Sequence, residues 1–468
     1  MLNNKNVQNA ANENERASLF EIFAYGLGGS GRWLFNGIAL GLLNYFYTNS
    51  LGMSAAVIGS IFMFSRVLDG LIGVSIGILI DKLNPKFGKI KSWLLWSAVP
   101  FGLVTLGLFT VPNVSAAGKI IYIIIMYNLM TSVFESTFYI PHLTFPALIT
   151  SDSGQRTQLS ISNQLLGMII SFVPSMILLP AIVAAGNKQS DWIKYMTYII
   201  PIGITFMLVD AFVCKERVHH PSLSNKSKNE PKIGFVKILE AMLQNKYWLM
   251  VFGVFIFDAL GNQFFNATGI YYAQYVIGDV SQYGKINLAS NLPAICALLI
   301  LSPLVKKFYK RTIFLAGALI KLSGLLMIII LPPTFANLII CRGISAFGMG
   351  ITFSVMYALV LDTMDYGEWK TGIRLGSTLQ SGLNVGMNLG VGLAPGVSGW
   401  LMSLGGYNGL VAEQPQAAIN SIKLCAIWVP VIFAGLLVLT MVFYDVEKKA
   451  AKITEDLQSR NLNVSENA

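Results

Sequence analysis

Long apolar stretches separated by short polar breaks recur twelve times along the chain. They fall at roughly 20–47, 54–80, 92–112, 118–149, 161–184 and 192–214, then at roughly 247–276, 286–305, 312–331, 335–361, 375–404 and 418–443. A helix rising 1.5 Å per residue needs about 20 apolar residues to cross the hydrocarbon core of a bilayer. The pattern therefore predicts an all-α polytopic membrane protein with twelve transmembrane helices. Residues 1–17 and 444–468 are polar tails. Residues 215–246 form a polar break with seven Lys or Arg that separates two six-helix bundles, 18–214 and 247–443. The halves echo each other: basic breaks follow the second run (Asp81 to Lys91) and the eighth (Lys306 to Arg311). Polar breaks also follow the fourth run (Thr150 to Gln158) and the tenth (Asp362 to Arg374). A duplicated bundle predicts such an echo, with a binding site near the midplane between halves that rock about it.

Charge gives the orientation. Lys82, Lys86, Lys89, Lys91, Arg156, the central break, Lys306, Lys307, Lys310, Arg311, Lys370, Arg374 and the basic residues of both tails lie on one side. Only Lys119, Lys188, Lys194, Lys285 and Lys423 lie on the other. The positive-inside rule places both termini in the cytoplasm of a multi-pass plasma-membrane protein. Hydrophobic residues make up 54% of the chain and charged residues 12%, and the mean hydropathy is +0.60. These values exclude an ordinary soluble domain. The net charge of +10 sits in the cytoplasmic breaks, so it is no nucleic-acid signal. The polar stretch Met1–Ala17 argues against a cleavable signal peptide. Cys214, Cys296, Cys341 and Cys425 are scattered without a CxxC and read as small apolar fillers rather than metal ligands or disulfides. Without GxxxxGK[ST], HExxH or GxSxG, neither ATP-driven transport nor a membrane enzyme is supported, and no cofactor is expected.

The most distinctive stretch is Asp362-Thr363-Met364-Asp365-Tyr366-Gly367-Glu368-Trp369-Lys370-Thr371-Gly372-Ile373-Arg374. It reads as a charged hinge between the tenth and eleventh spans, at a water-facing surface, because unpaired charge in hydrocarbon is costly. Asp362, Asp365, Tyr366, Gly367, Glu368, Lys370 and Arg374 are its candidate gating residues. Together with Ala24-Tyr25-Gly26-Leu27-Gly28 and the segment Arg66 to Trp93, it resembles the glycoside–pentoside–hexuronide:cation symporters, the melibiose permease-like family of the major facilitator superfamily. The resemblance covers nearly the whole chain. It implies a secondary carrier importing a sugar or glycoside by cation symport through alternating access. The alternatives are a cation-independent facilitator or exchanger, a carrier of another small solute on the same fold, and a non-transporting sensor.

Ionisable residues inside a span are functional candidates: Arg32, Arg66, Asp69, Glu135, Asp258, Lys321 and Arg342. The structural alternative is that they pair with one another. Arg66 stands three residues before Asp69, on the same helix face. Where the family carries an acid at the position of Asp69 and a second one turn later, this chain has Gly73, and the family Asn is Ile72. Two sodium ligands are thus missing, and the resemblance then favours a proton over sodium. In the fourth span Asn128, Ser132, Glu135, Tyr139 and His142 recur at three- and four-residue spacings and read as one face. Pro141 and Pro146 are expected to bend that helix. By the resemblance, the sugar-binding acid falls at Tyr139 and the stacking Trp at Leu143, while Glu135 lies a turn earlier as a coupling acid, or as a partner for Arg32 or Arg342. The acidic sugar ligand of the first span aligns with Trp33, next to Arg32 and a turn before Asn36; Trp33 reads either as a stacking platform or as a lipid-facing belt residue. Asp258, Asn262 and Asn266, and again Gln380, Asn384 and Asn388, recur at four-residue spacing. They read as ladders lining a watery cavity or as interhelical glue. The family lysine linked to coupling aligns with Asn388. The candidate substrate residues are therefore Arg32, Trp33, Asn36, Tyr139, Asn262, Asn266, Gln380 and Asn384. The candidate coupling residues are Glu135, Asp69 and Asn388.

Overall fold

The computed structural model describes residues 16–83, 90–217, 235–301, 309–373 and 376–449, with 452, 453, 455, 456 and 459. All regular structure among these residues is helical. The helices are α1 (Leu19–Gly41), α2 (Ala55–Lys82), α3 (Lys91–Gly107), α4 (Ala116–Ile149), α5 (Ser153–Ser171, resuming after a π turn at Leu179–Ala185) and α6 (Gln189–Val213). There follow α7 (Lys246–Tyr272), α8 (Tyr283–Ala289 and Leu292–Leu301), α9 (Lys310–Ile330), α10 (Phe335–Thr371), α11 (Gly376–Leu404) and α12 (Gln416–Lys423, resuming at Val429–Val442). Seven helices among the described residues are long and apolar enough to cross a membrane. The breaks carry the chemistry that starts helices. The Ser18 hydroxyl accepts from the Glu21 N–H at 3.2 Å while the Glu21 carboxylate accepts from the Ser18 N–H at 2.9 Å, a reciprocal cap for α1. Asp152 caps α5 by accepting from the Gly154 N–H. That cap starts α5 at Ser153, well before the apolar run begins.

Three elements depart from the pattern. The expected loop 362–374 is helix as far as Thr371, so α10 runs 37 residues and ends only where Gly372 takes a left-handed φ of 71°. An isolated Gly367 does not break it, and the left-handed cap at Gly372 does. The eighth span is interrupted at Ser290 and Asn291. The expected loop 215–246 holds a helix, Phe235–Gln244, whose apolar and charged positions alternate at helical period.

Chain contacts divide the molecule into two units, Met1–Asn229 with Asn408–Ala412, and Glu230–Tyr407 with Glu413–Ala468. In the first, α1 packs along α5 and α6, and α2 lies against a π turn in α4. Trp33 of α1 fills the notch left by Gly167 of α5, where an added Cβ would stand 2.1 Å from the indole. In the second unit, α9 packs along α10, and α7 against α11 and α12. Its core is built from Tyr247, Trp248, Val251, Phe255, Phe314, Val355, Leu359 and Leu383.

Candidate functional site

In the first unit the chain brings Arg32, Trp33, Asn36, Glu135 and Tyr139 together. Arg32 Nη1 donates to Glu135 Oε1 at 2.5 Å. Asn36 Nδ2 reaches both carboxylate oxygens, at 3.1 and 3.0 Å. The guanidinium lies over the Tyr139 ring at 4.4 Å and the Trp33 ring at 5.0 Å, a cation held between two aromatic faces. Glu135 therefore takes Arg32 as its partner, the pairing left open by the sequence. Trp33 is no lipid-belt residue: its indole packs on Gly167 inside the bundle, and its Nε1 is buried without a hydrogen-bond partner.

The face expected on α4 is split. The segment Leu129–Phe134 is a π turn, between α-helical Ala116–Asn128 and Glu135–Thr144. Each residue inserted into a helix rotates the turns beyond it by about 100°. Asn128 and Ser132 consequently address α2: Asn128 Nδ2 donates to Ser65 Oγ at 2.9 Å, and the Ser132 hydroxyl donates to Asp69. Glu135 and Tyr139 address Arg32 on α1. His142 turns to α6, where Nδ1 meets Asp210 Oδ2 at 2.8 Å. The bend expected from the prolines is there, with Pro141 in the helix and a break at Phe145.

Asp69 is fully engaged. Oδ2 accepts from Arg66 Nη1 at 3.0 Å, and Oδ1 from the Thr131 hydroxyl at 3.1 Å as well as from Ser132. A turn further along α2, Gly73 opposes Ser136 and supplies no oxygen.

The pair His142–Asp210 is the most enclosed contact between an acidic and a basic side chain among the described residues, with side chains 1% and 0% exposed. Tyr25 stacks on the imidazole with centroids 4.3 Å apart and planes 6° from parallel. Its hydroxyl donates to the His142 carbonyl at 3.0 Å. Asp210 is absent from the embedded charges read from the sequence, because it stands near the end of its span, where an acid reads as the border of a loop. The available signal was a His and an Asp standing inside apolar runs of the first half.

In the second unit the α7 ladder is partly tied up. Lys321 Nζ of α9 donates to Asp258 Oδ1 at 2.7 Å and to Asn262 Oδ1 at 3.2 Å, while Asn262 Nδ2 donates to Asp258 Oδ2 at 3.0 Å. Asn266 Nδ2 donates to Gln263 Oε1 at 3.3 Å. Asn388 on α11 is exposed. The side chains of Gln380 and Asn384 lie outside the described residues, as does Arg374.

The other candidate gating residues are helical rather than loop. Asp362 accepts from Lys310 Nζ at 2.5 Å. Tyr366 packs edge-on to Tyr247 with centroids 4.6 Å apart. Gly367 lets Asn245 come close enough for its Nδ2 to donate to the Thr363 carbonyl at 2.7 Å. Lys370 Nζ donates to the Gln244 carbonyl at 2.9 Å, and Trp369 Nε1 to Asp456 at 2.8 Å. Glu368 is half-buried and Asp365 exposed. The acids and bases of this stretch thus fasten the end of α10 to the start of α9, to the helix before α7 and to the carboxy-terminal segment.

A family model described as MFS/sugar transport protein matches residues 24–448. The isoprimeverose transporter of Lactiplantibacillus pentosus is 28% identical over 429 residues, covering 90% of this chain and 87% of that one. The putative glycoside/cation symporter YagG of Escherichia coli (strain K12) is 28% identical over 442 residues, covering 92% and 93%. Among solved structures, a bacterial homolog of the human lysosomal transporter Spinster, inward-facing and unoccupied, superposes with a TM-score of 0.64 at 14% identity, over 94% of this chain and 97% of that one. That likeness is one of fold. The helices, the embedded polar groups between them and a family match over almost the whole length lead to one assignment: the chain belongs to the MFS/sugar transport protein family.

Proposed function

We propose that this chain is a secondary active carrier of the plasma membrane, with both termini cytoplasmic, that takes up a sugar or glycoside in symport with a proton rather than sodium. The relatives named as an isoprimeverose transporter and a glycoside/cation symporter support the substrate class. The observation that carries the choice of ion is the environment of Asp69. Its carboxylate is met by a guanidinium at 3.0 Å and by two hydroxyls, and no second carboxylate stands a turn away at Gly73. A sodium ion there would share one carboxylate with a fixed cation and be repelled by it. A proton has no such demand for several oxygens.

Glu135 is the group to receive it. In the paired state Arg32 Nη1 and the Asn36 amide donate to the carboxylate. Protonation neutralises Glu135 and frees those donors for sugar hydroxyls, while Trp33 and Tyr139 offer ring faces to the sugar. In the second unit Asn262 and Asn266 are the amides proposed to bind sugar hydroxyls, and Asn388 is proposed to take part in coupling. A cation-independent exchanger is the second reading, favoured by both carboxylates being charge-paired.

Uptake of labelled glycosides into proteoliposomes distinguishes these readings. Accumulation is expected with an imposed inward proton gradient and to be insensitive to sodium at fixed pH and potential. A rise in glycoside affinity on adding sodium overturns the ion assignment. Equilibration without accumulation under either gradient selects the exchanger.

A further inference from the structure

The imidazole of His142 is held by four helices. Tyr25 of α1 stacks on it with centroids 4.3 Å apart and planes 6° from parallel. Phe138 of α4 lies nearly parallel to it at 5.4 Å. Nδ1 meets Asp210 Oδ2 of α6 at 2.8 Å. Nε2 comes up to the bare Cα of Gly29 of α1, where Asn163 Oδ1 of α5 also arrives. A Cβ added at Gly29 would stand 2.6 Å from Nε2 and 1.8 Å from Oδ1. Both atoms are buried, and among the described residues neither has a hydrogen-bond partner.

The other charged and titratable groups around this enclosure are engaged elsewhere. On α1, Glu21 pairs with Arg217 and Arg32 with Glu135, and the Tyr25 hydroxyl donates to the His142 carbonyl. On α6, the Cys214 thiol is buried against the Glu21 carbonyl. On α5, Arg156 Nε donates to the Thr150 carbonyl. Tyr139 of α4 lies under the Arg32 guanidinium. From α2, Gly73 and Gly77 oppose this stretch of α4, and the pair Arg66–Asp69 lies further on, against Thr131 and Ser132. The single charged residue of α3 is Lys91, at its amino-terminal end.

Protons can then be counted. The contact between Nδ1 and Oδ2 needs one proton between them. With that proton alone the pair is a net negative charge in an enclosure, and Nε2 and the Asn163 oxygen are two acceptors side by side. Buried charge without compensation and buried acceptors without donors are both costly. A second proton, on Nε2, makes the pair neutral and gives the Asn163 oxygen a donor. The count is the same whether the shared proton rests on Nδ1 or on Oδ2. When it rests on Nδ1, the ring is an imidazolium, which aromatic faces favour.

We propose that His142–Asp210 is a proton-binding site separate from Glu135, which takes its second proton on His142 Nε2 and directs it at Asn163 Oδ1, so that the bound proton clamps α4 to α5 and α6 together. Loss of that proton leaves the carboxylate charge unbalanced and frees α5 from the clamp. The site lies near the ends of α4 and α6 that lead into basic breaks, so pH on that side governs its filling. The inference is independent of the cargo and of the coupling ion.

The chain has three histidines, and His219 and His220 lie in the polar break. Full-length carrier with His219→Gln and His220→Gln, labelled with 15N in the imidazole and held in lipid nanodiscs, reports on His142 alone. Nε2 is expected to carry hydrogen at neutral pH and to lose it as pH rises. Asn163→Ala removes the acceptor and should need at least tenfold more protons to fill the site. A proton held by the folded carrier stabilises it by mass action. That stabilisation is present on the acid side and is lost as pH rises through the range in which the Nε2 signal changes. Over that range the melting temperature of the parent should fall further than that of His142→Gln. A bare Nε2 at neutral pH overturns the proposal, because the pair then holds one proton. So does an unchanged titration in Asn163→Ala, or the same pH dependence of melting in the parent and in His142→Gln. Should either variant not fold, the Nε2 signal of the parent decides.

Discussion

Glu135 and Arg32 form a pair in which the Arg32 side chain is 10% exposed and the Glu135 side chain 18%, so the carboxylate is the more open member. Removing one partner of such a pair leaves a charge without compensation, at a cost of about 3 kcal/mol or more, whereas removing both costs less. Glu135→Gln and Arg32→Gln should each lower the melting temperature of the purified carrier, and the double variant should melt above the worse single one. Strict additivity would mean that the two do not act as a unit. The functional expectation is separate. Glu135→Gln keeps shape and one acceptor but cannot titrate, so it should abolish uphill, proton-driven accumulation while exchange between equal pools continues. If Glu135→Gln accumulates as the parent does and Asp69→Asn does not, Asp69 is the coupling acid. Spacing alone made one pair legible in the sequence: Arg66 and Asp69 are three residues apart on one helix. Glu135 lies 103 residues from Arg32 and His142 lies 68 from Asp210. Their pairing depends on how helices dock, which no local pattern encodes.

Helices were legible as lengths of apolar sequence and illegible in phase and in their ends. The π turn in α4 redirects Glu135 away from the face shared by Asn128 and Ser132, and composition does not mark it. The end of α10 was hidden for another reason: its charges read as solvated loop, yet they are spent on partners in other elements, such as Lys310 for Asp362 and the Gln244 carbonyl for Lys370. Close helix contact can be tested directly. At Gly167 an added Cβ would meet Trp33 Cδ1 at 2.1 Å and Nε1 at 2.4 Å. The indole cannot yield without leaving its place beside Arg32 or parting α1 from α5. Gly167→Ala should therefore lower the melting temperature and weaken glycoside binding together. Gly435 in α12 is the control: nothing lies within 4 Å of its added Cβ, so Gly435→Ala should be neutral or stabilising by up to about 1 kcal/mol, since Ala is the better helix former. Equal losses at both sites would show that the α1–α5 contact is not the cause.

For the whole molecule, orientation in the bilayer follows from charge and parity. Six helices precede the central segment 215–246, so this segment lies on the same side as the amino terminus. Its seven Lys or Arg are expected to resist translocation, and the proposal is that this side is cytoplasmic. The same side receives Lys310, Lys370 and the basic residues of the tails, so the assignment does not depend on one segment. Ser224, which lies outside the described residues, sits in the middle of the segment and suits a single reporter thiol. The native background is favourable, because Cys214, Cys341 and Cys425 are buried. Cys296 is exposed and is first replaced by Ser. In that background Ser224→Cys should stay unlabelled when whole cells are treated with a membrane-impermeant maleimide, and should label once the cells are permeabilised. Labelling from outside would invert the molecule in the membrane. The Lys310–Asp362 pair and the end of α10 would then face the exterior, and the basic segments would have crossed the bilayer against the charge bias that orients every other span.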